Sequence, residues 1–251
     1  QNSAPMPSAL ATFGAAAAAA AAVYFYLNKR PAKPKKIKLT YFNIAGVAEK
    51  LRLAFMYYGV DFEDVRIDFK DWPQMKKTMK YGQVPLLEVD GQQLFQSGAM
   101  VRWAGEFLGD GSLYPSCPMA RYKVEEMMGL ADDITRSWTP CLYVAMRPAD
   151  MGHSFASDDE KKATTKAMRE AFVKDSLPGH MKSLINELTA TGAFVCGAEP
   201  TIADFTLFCI VRNWTLGHID YVPTDCLAPF PEVVAWLDRV KALPQLGAKK
   251  W

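Results

Sequence analysis

The chain has 251 residues, of which 50% are hydrophobic, and a formal net charge of +2. This length and apolar fraction allow a large buried core, in one domain or in two that pack together, and they exclude a disordered chain. The first 36 residues hold five basic residues and no acidic one; removing those five from the 29 basic residues leaves 24 against 27 acidic residues. Because nucleic-acid binding needs a positive surface, this mildly acidic body argues against a nucleic-acid partner.

The five cysteines are widely spaced and form no C-x-x-C pair, and the three histidines are scattered. These spacings predict neither a disulfide framework nor a metal site, so no metal is expected.

The N-terminal segment is uncharged over residues 9–27 and includes an alanine run at 15–22. About 20 apolar residues span a bilayer, and the positive flank at Lys29 and Arg30 follows three aromatic residues, as at a membrane interface. The segment therefore predicts a membrane anchor, with the next domain on the cytosolic or equivalent stromal or matrix side, an organellar membrane included. A signal peptide and a low-complexity linker are the alternatives; in a signal peptide the charges would precede the apolar stretch.

Strand-like and helix-like segments alternate from residue 37 to residue 109. β-Branched and aromatic residues favour a strand at 37–42, helical periodicity ends at Gly59, and Asp90-Gly91 favours a hairpin turn. The predicted order is strand, helix, strand, helix, hairpin and helix, at 37–42, 48–58, 61–67, 71–80, 84–95 and 97–109. This is the order of a thioredoxin-like α/β domain.

No convincing strand follows residue 113. Apolar periodicity predicts helices at 117–146, 157–189, 201–217 and 229–242. The T-x-x-D pattern of Thr201 and Asp204 predicts a capping box with a role in folding. The predicted domains are an apolar helix with a basic linker at 1–36, a thioredoxin-like domain at 37–112 and an all-α domain at 113–251.

Five blocks in this order and spacing resemble the sigma class of glutathione transferases, which includes haematopoietic-type prostaglandin D synthase: KLTYFNIAGVAEKLRLAF, DFKDWPQMK, YGQVPLLEVDG, QSGAMVRW and TIADFTLF. The resemblance covers about residues 37–245 and implies the glutathione transferase fold. It also implies glutathione as a substrate, a homodimer, and transfer of glutathione to a hydrophobic electrophile or related isomerase or peroxidase chemistry.

The resemblance implies a glutathione site along one edge of the thioredoxin-like domain. A cis bond between Val84 and Pro85 would leave the Val84 backbone free to pair with glutathione like an added strand; local sequence alone favours an ordinary turn proline. Ser97 is a good N-cap, and the same helix start suits the γ-glutamyl carboxylate. The further glutathione-binding residues implied are Trp72, Lys76, Gln83 and Gln96.

Tyr41 is the catalytic candidate that the resemblance implies. A hydroxyl that donates to the glutathione sulfur favours the thiolate, which is the nucleophile, and so lowers the thiol pKa. Without the surrounding blocks, a core tyrosine at a strand end would be the better interpretation.

One departure concerns the loop after Tyr41. Prostaglandin-synthase-like members carry arginines where this chain has Ala45 and Val47, so a cation near the sulfur is missing and the thiol pKa is expected to be higher. The electrophile pocket is predicted between the two halves, and its lining residues are Ile44, Val47, Thr135 and Trp138.

Asp132 and Asp133 are adjacent acids on a predicted helix, which usually indicates a solvated face. In dimers of the resembled family an acid at the Asp132 position reaches the α-amino group of glutathione in the partner's site. Two functions follow from the sequence: a glutathione transferase, or a catalytically weak or inactive subunit of a larger membrane assembly, which the predicted anchor and the missing arginines would favour.

Overall fold

A computed structural model describes residues 34–249 of the protein. Its first half is built on a four-stranded sheet in the order β2-β1-β3-β4. The central strand β1 runs parallel to β2 and antiparallel to β3, and β3 runs antiparallel to β4. The strands are β1 (Ile37–Phe42), β2 (Glu63–Ile67), β3 (Leu86–Val89) and β4 (Gln92–Leu94).

Local chemistry explains the hairpin between β3 and β4. Asp90 and Gly91 both have positive φ, 47° and 86°. This is the combination that a two-residue hairpin turn requires, and Asp-Gly adopts it readily. The predicted turn is therefore confirmed at these two residues.

Three helices complete the thioredoxin-like half: α1 (Glu49–Tyr57), α2 (Trp72–Met75) and α3 (Ser97–Phe107). The second half is helical: α4 (Pro118–Met146), α5 (Asp158–Ala171), α6 (Leu177–Thr191), α7 (Ile202–Asn213) and α8 (Pro231–Lys241). The fold class predicted from the sequence, a thioredoxin-like domain followed by an all-α domain, is confirmed.

Two predicted helices differ in extent from those observed. The segment predicted as one helix over 157–189 contains a π-helical turn at Phe172–Ser176, where the Leu177 N–H donates to the Phe172 carbonyl. Pro178 follows at once and has no N–H to donate, so the normal α-helical bond cannot form there. The helix predicted over 201–217 ends at Asn213, and turns follow it.

The core of the helical half is centred on α7. Its residues from Ile202 to Phe208 are buried, and it packs against α4 and α1. At its start, the Asp204 carboxylate accepts the Thr201 N–H and the Thr201 hydroxyl accepts the Ala203 N–H. The predicted capping box is thus confirmed, and it orients the helix that joins the two halves.

The predicted membrane location is not upheld. Between residues 34 and 249, no helix is long and apolar enough to cross a bilayer. The predicted anchor at 9–27, with its preceding apolar helix, lies outside the described residues. Its signal rested on an alanine run, and alanine contributes little to insertion compared with leucine.

Candidate active site

Tyr41 lies near the C-terminal end of β1 and is only 8% exposed. The loop that follows the strand lies against its hydroxyl. Gly46 has φ of +47°, and a Cβ added there would lie 2.6 Å from Tyr41 Oη. The backbone of this loop is therefore held directly beside the phenol, at a position that only glycine fits without strain.

Burial raises the pKa of the Tyr41 phenol above its usual value, and the nearby Tyr143 adds to the rise; the Val47 backbone N–H and the Arg52 guanidinium oppose it. The phenol is consequently protonated at neutral pH. A buried, protonated hydroxyl at a strand end is a hydrogen-bond donor for an anion placed beside it.

Arg52 holds the loop from within the protein. It lies on α1 and is 3% exposed, and its Nη1 donates to the carbonyls of Ile44 and Ala45 at 3.2 and 3.1 Å. Arg66 on β2 also donates to the Ile44 carbonyl, at 3.1 Å. Sequence reasoning missed Arg52; the signal was a charged residue on the same helical face as the apolar positions of α1, which predicts a buried, paired cation.

The predicted glutathione-binding residues lie on elements linked by side-chain contacts. Trp72 begins α2, and its ring meets Phe42, the neighbour of Tyr41, edge to face at 5.4 Å. The stem of Lys76 lies over Gly82, where an added Cβ would be 3.3 Å from the lysine Cε. The contacts therefore connect the end of β1 to α2, and α2 to the loop before β3.

That loop carries Gln83, which is exposed, and the Val84-Pro85 peptide bond, which is cis. β4 ends at Leu94, opposite Leu87. On that side no strand of residues 34–249 neighbours the backbone at Val84, and an extended peptide could pair with it.

The loop also reaches the start of α3. The Tyr81 ring meets Phe95 at 5.7 Å, and Phe95 directly precedes Gln96. Gln96 has φ of +70° and occupies the N-cap position, with no side-chain cap hydrogen bond. The prediction that Ser97 caps the helix is therefore wrong: the left-handed turn at Gln96 places Ser97 inside the first turn of α3, where its hydroxyl does not serve as a cap.

The predicted electrophile-pocket residues do not all lie together. Ile44 and Val47 are 44% and 50% exposed beside Tyr41. Thr135 is exposed on α4, and its hydroxyl donates to the Ala131 carbonyl. Trp138 is only 5% exposed and packs in the core of the helical half, against the rings of Phe172 and Trp214.

Sequence reasoning missed Tyr143. It lies on α4 close enough to affect Tyr41 electrostatically, and the Arg147 guanidinium lies 4.1 Å from its ring centre. No local signal could have found it, because Tyr41 and Tyr143 lie on different halves of the chain.

Asp132 is exposed and lines a groove of about 440 Å³ between α4 and α6, together with Glu126, Asp133 and Glu187. No residue around Tyr41 lines this groove. The exposed Asp132 carboxylate therefore borders an open groove rather than the surroundings of Tyr41.

A thioredoxin-like sheet with a buried tyrosine at the end of its first strand, followed by an all-helical half, defines the glutathione transferase class of proteins. Known families agree: the N-terminal domain of glutathione S-transferase matches residues 37–106, and its C-terminal domain matches residues 149–248. Glutathione S-transferase 1 of Ascaris suum is 32% identical over 85% of this chain and 94% of its own length. The chain therefore belongs to the glutathione S-transferase family, a family of enzymes.

Two further similarities are to prostaglandin D synthases. Hematopoietic prostaglandin D synthase of Gallus gallus is 31% identical over 84% of this chain and 93% of its own length. The solved structure of prostaglandin synthase D of Nilaparvata lugens matches with a TM-score of 0.71 and 28% identity, over 85% of this chain and 96% of that one.

Proposed function

We propose that this protein is a glutathione transferase in which Tyr41 activates the glutathione thiol for attack on a hydrophobic electrophile. The main observation behind the proposal is the buried, protonated Tyr41 phenol, whose hydroxyl lies next to the loop backbone at Gly46 and Val47. A phenol that donates a hydrogen bond to the sulfur stabilises the thiolate more than the thiol. Family membership in known glutathione S-transferases supports the substrate.

The remaining glutathione contacts are assigned by chemistry. The open backbone edge at Val84, before cis Pro85, would pair with the cysteinyl residue of glutathione, and Gln83 would add an amide. The start of α3 at Gln96 and Ser97 suits the γ-glutamyl carboxylate, because an 11-residue helix presents free N–H groups there. Trp72 and Lys76 would hold the glycyl carboxylate through an indole N–H and an ammonium group.

The reaction needs no group beyond the thiol and the electrophile. The thiol loses its proton to solvent, and the sulfur lone pair then forms a carbon–sulfur bond while a leaving group departs or a conjugated π bond accepts the electron pair. Ile44, Val47 and Tyr143 offer an apolar surface beside the sulfur, with Thr135 further along α4. The buried Trp138 is left out of this surface. Isomerase or peroxidase chemistry would begin from the same thiolate.

The membrane-assembly alternative rested on the predicted anchor and on the missing arginines at Ala45 and Val47; the membrane location is not upheld, and the loop residues alone do not favour a structural subunit over an enzyme. The matched relatives are named as enzymes. The transferase is therefore the function proposed.

Replacing Tyr41 by Phe tests this function. Glutathione should still bind, because the ring and its packing remain, while the thiol pKa of bound glutathione should rise by about one to two units and conjugation at neutral pH should slow accordingly. The measurement is the thiolate absorbance of bound glutathione against pH. Tyr122→Phe, on the exposed face of α4, is the matched control and should change nothing.

Equal thiol pKa values in the wild type and Tyr41→Phe would show that Tyr41 is a structural tyrosine. Calorimetry that detects no glutathione binding to the folded wild type would remove the proposed function altogether.

A further inference from the structure

A network of charged side chains lies under the loop that follows Tyr41. Arg52 pairs with Glu49 and with Asp64, each at 3.1 Å. Arg66 pairs with Asp64 at 2.6 Å, and Lys249 pairs with Glu49. Three cations therefore share two carboxylates, and Arg52 contacts both of them.

The buried cation of this network lies close to the site. The Arg52 guanidinium is 5.9 Å from the centre of the Tyr41 ring. Its Nη2 is buried and has no hydrogen-bond partner within the described residues. A buried cation that is not fully paired acts more strongly on its surroundings than an exposed one, because little water screens it.

The same cations also orient the loop. In a trans peptide the C=O and the N–H point in opposite directions. Arg52 and Arg66 hold the Ile44 and Ala45 carbonyls on their side of the loop, so the N–H groups of Ala45 and Gly46 are directed to the other side. The positive ends of these peptide dipoles then add to the field of the network.

We propose that Arg52 is the positioning residue of the thiol site: it holds the loop beside Tyr41 and supplies the positive potential that the loop side chains Ala45 and Val47 cannot. The inference rests on the proposed function, since the group it acts on is the glutathione sulfur. Arg52 does not touch the sulfur; it acts through the loop backbone and through space. A guanidinium stays charged over the whole working pH range, so the potential is constant while the thiol titrates.

The test compares Arg52→Gln with Arg52→Lys in the full-length protein. Both variants are expected to fold, because Glu49 keeps Lys249 and Asp64 keeps Arg66 as a cationic partner. The thiol pKa of bound glutathione, read from thiolate absorbance against pH, should rise by about one unit in Arg52→Gln, the lower end of the range for a nearby charge. The rate of conjugation at neutral pH should fall about tenfold and recover as pH rises.

Arg52→Lys distinguishes the effect of the positive charge from the effect of the hydrogen bonds to the loop. It keeps the charge but loses the two-carbonyl geometry, so its thiol pKa should lie between those of the wild type and Arg52→Gln. If Arg52 were only structural, the two variants would lose stability while the thiol pKa of bound glutathione stayed that of the wild type.

Arg66→Gln provides a second variant at a more exposed position, which removes one hydrogen bond to the Ile44 carbonyl and one charge of the network. It should raise the thiol pKa in the same direction by a smaller amount. Lys162→Gln removes an equal charge from an exposed face of α5 and should leave the thiol pKa unchanged.

An unchanged thiol pKa in Arg52→Gln overturns the inference, and if that variant does not fold, an unchanged value in Arg66→Gln does so. These results are distinct from failure of the proposed function, in which the wild type itself would not bind glutathione.

Discussion

At the scale of single residues, the site depends on the fit between Tyr41 and Gly46. The phenol is buried, and the loop backbone occupies the space next to its hydroxyl. A side chain at position 46 would have to displace the hydroxyl or the loop, and either change would alter the position of the proposed donor.

Gly46→Ala should therefore impair catalysis more than folding. The added Cβ would lie 2.6 Å from Tyr41 Oη, and φ of +47° is unfavourable for alanine by about 1–2 kcal/mol. Displacement of the hydroxyl should lower kcat/KM about tenfold or more, the equivalent of about 1.4 kcal/mol. Steady-state conjugation kinetics measure this.

Gly179→Ala is the matched control, because it lies in α6 with open space around an added Cβ. It should leave kinetics unchanged and raise stability slightly, by up to about 1 kcal/mol. Wild-type kinetics in Gly46→Ala would show that the contact with Tyr41 does not govern the reaction.

At the scale of elements, two helix starts of similar sequence differ in burial. At α7, Asp204 is fully buried and accepts hydrogen bonds from the Thr201 and Val195 N–H groups and from Trp236 Nε1, at 2.9, 2.9 and 3.0 Å. At α5, the exposed Glu160 accepts one N–H, that of Ala156, at 2.7 Å. The first carboxylate ties three parts of the helical half together, whereas the second orders only its own helix end.

Asp204→Ala should accordingly destabilise the protein far more than Glu160→Ala. Loss of Asp204 removes the acceptor of these three N–H groups and of the Thr201 hydroxyl, which should cost about 3–5 kcal/mol. Glu160→Ala should cost about 1 kcal/mol or less, since water replaces the lost contact. Urea unfolding measures the free energy of unfolding of both variants. Similar losses would contradict the conclusion that Asp204 holds three segments of the helical half together.

At the scale of the whole described chain, the Tyr58 side chain forms hydrogen bonds where the chain passes from the first half to the second. Tyr58 Oη donates to the Gly105 carbonyl and accepts the Leu113 N–H, both at 2.9 Å. The Leu113 carbonyl in turn accepts the Ile202 N–H, at the start of α7. Tyr58, which follows α1, is thus connected to α3 directly and to the start of α7 through Leu113.

The groove beside Asp132 bears on assembly. We expect a homodimer in which Asp132 reaches the α-amino group of glutathione bound to the partner chain, because this carboxylate is exposed and borders an open groove. Asp132→Asn should weaken glutathione binding by about 1–3 kcal/mol, the value of a hydrogen bond to a charged group. Calorimetry measures the affinity, and sedimentation measures the assembly.

Asp133→Asn is the natural control, since Asp133 is the adjacent acid and is paired with Arg136. It should bind glutathione like the wild type. A monomer in sedimentation, or equal affinities in the two variants, would contradict the shared site.

Local sequence patterns were enough to predict several elements of the fold. The strand at 37–42, the Asp90-Gly91 turn and the Thr201 cap each depend on residues within a few positions of one another, so sequence alone was enough. The membrane anchor was the opposite case: its apolar stretch was long enough but rich in alanine, and length without strong apolarity is a weak signal.

The sequence by itself determined the order of elements, the Asp90-Gly91 turn, the Thr201 cap and the family, because periodicity, turn chemistry and motif spacing are local properties. Only the tertiary structure decided the left-handed turn that places Ser97 inside α3, the burial of Trp138, the approach of Tyr143 to Tyr41 and the position of Arg52 under the loop. These features depend on how distant segments pack and on which buried polar groups must find partners. Buried polar groups such as the Arg52 guanidinium find their partners only when segments distant in sequence pack against one another, and local sequence does not show which segments these are.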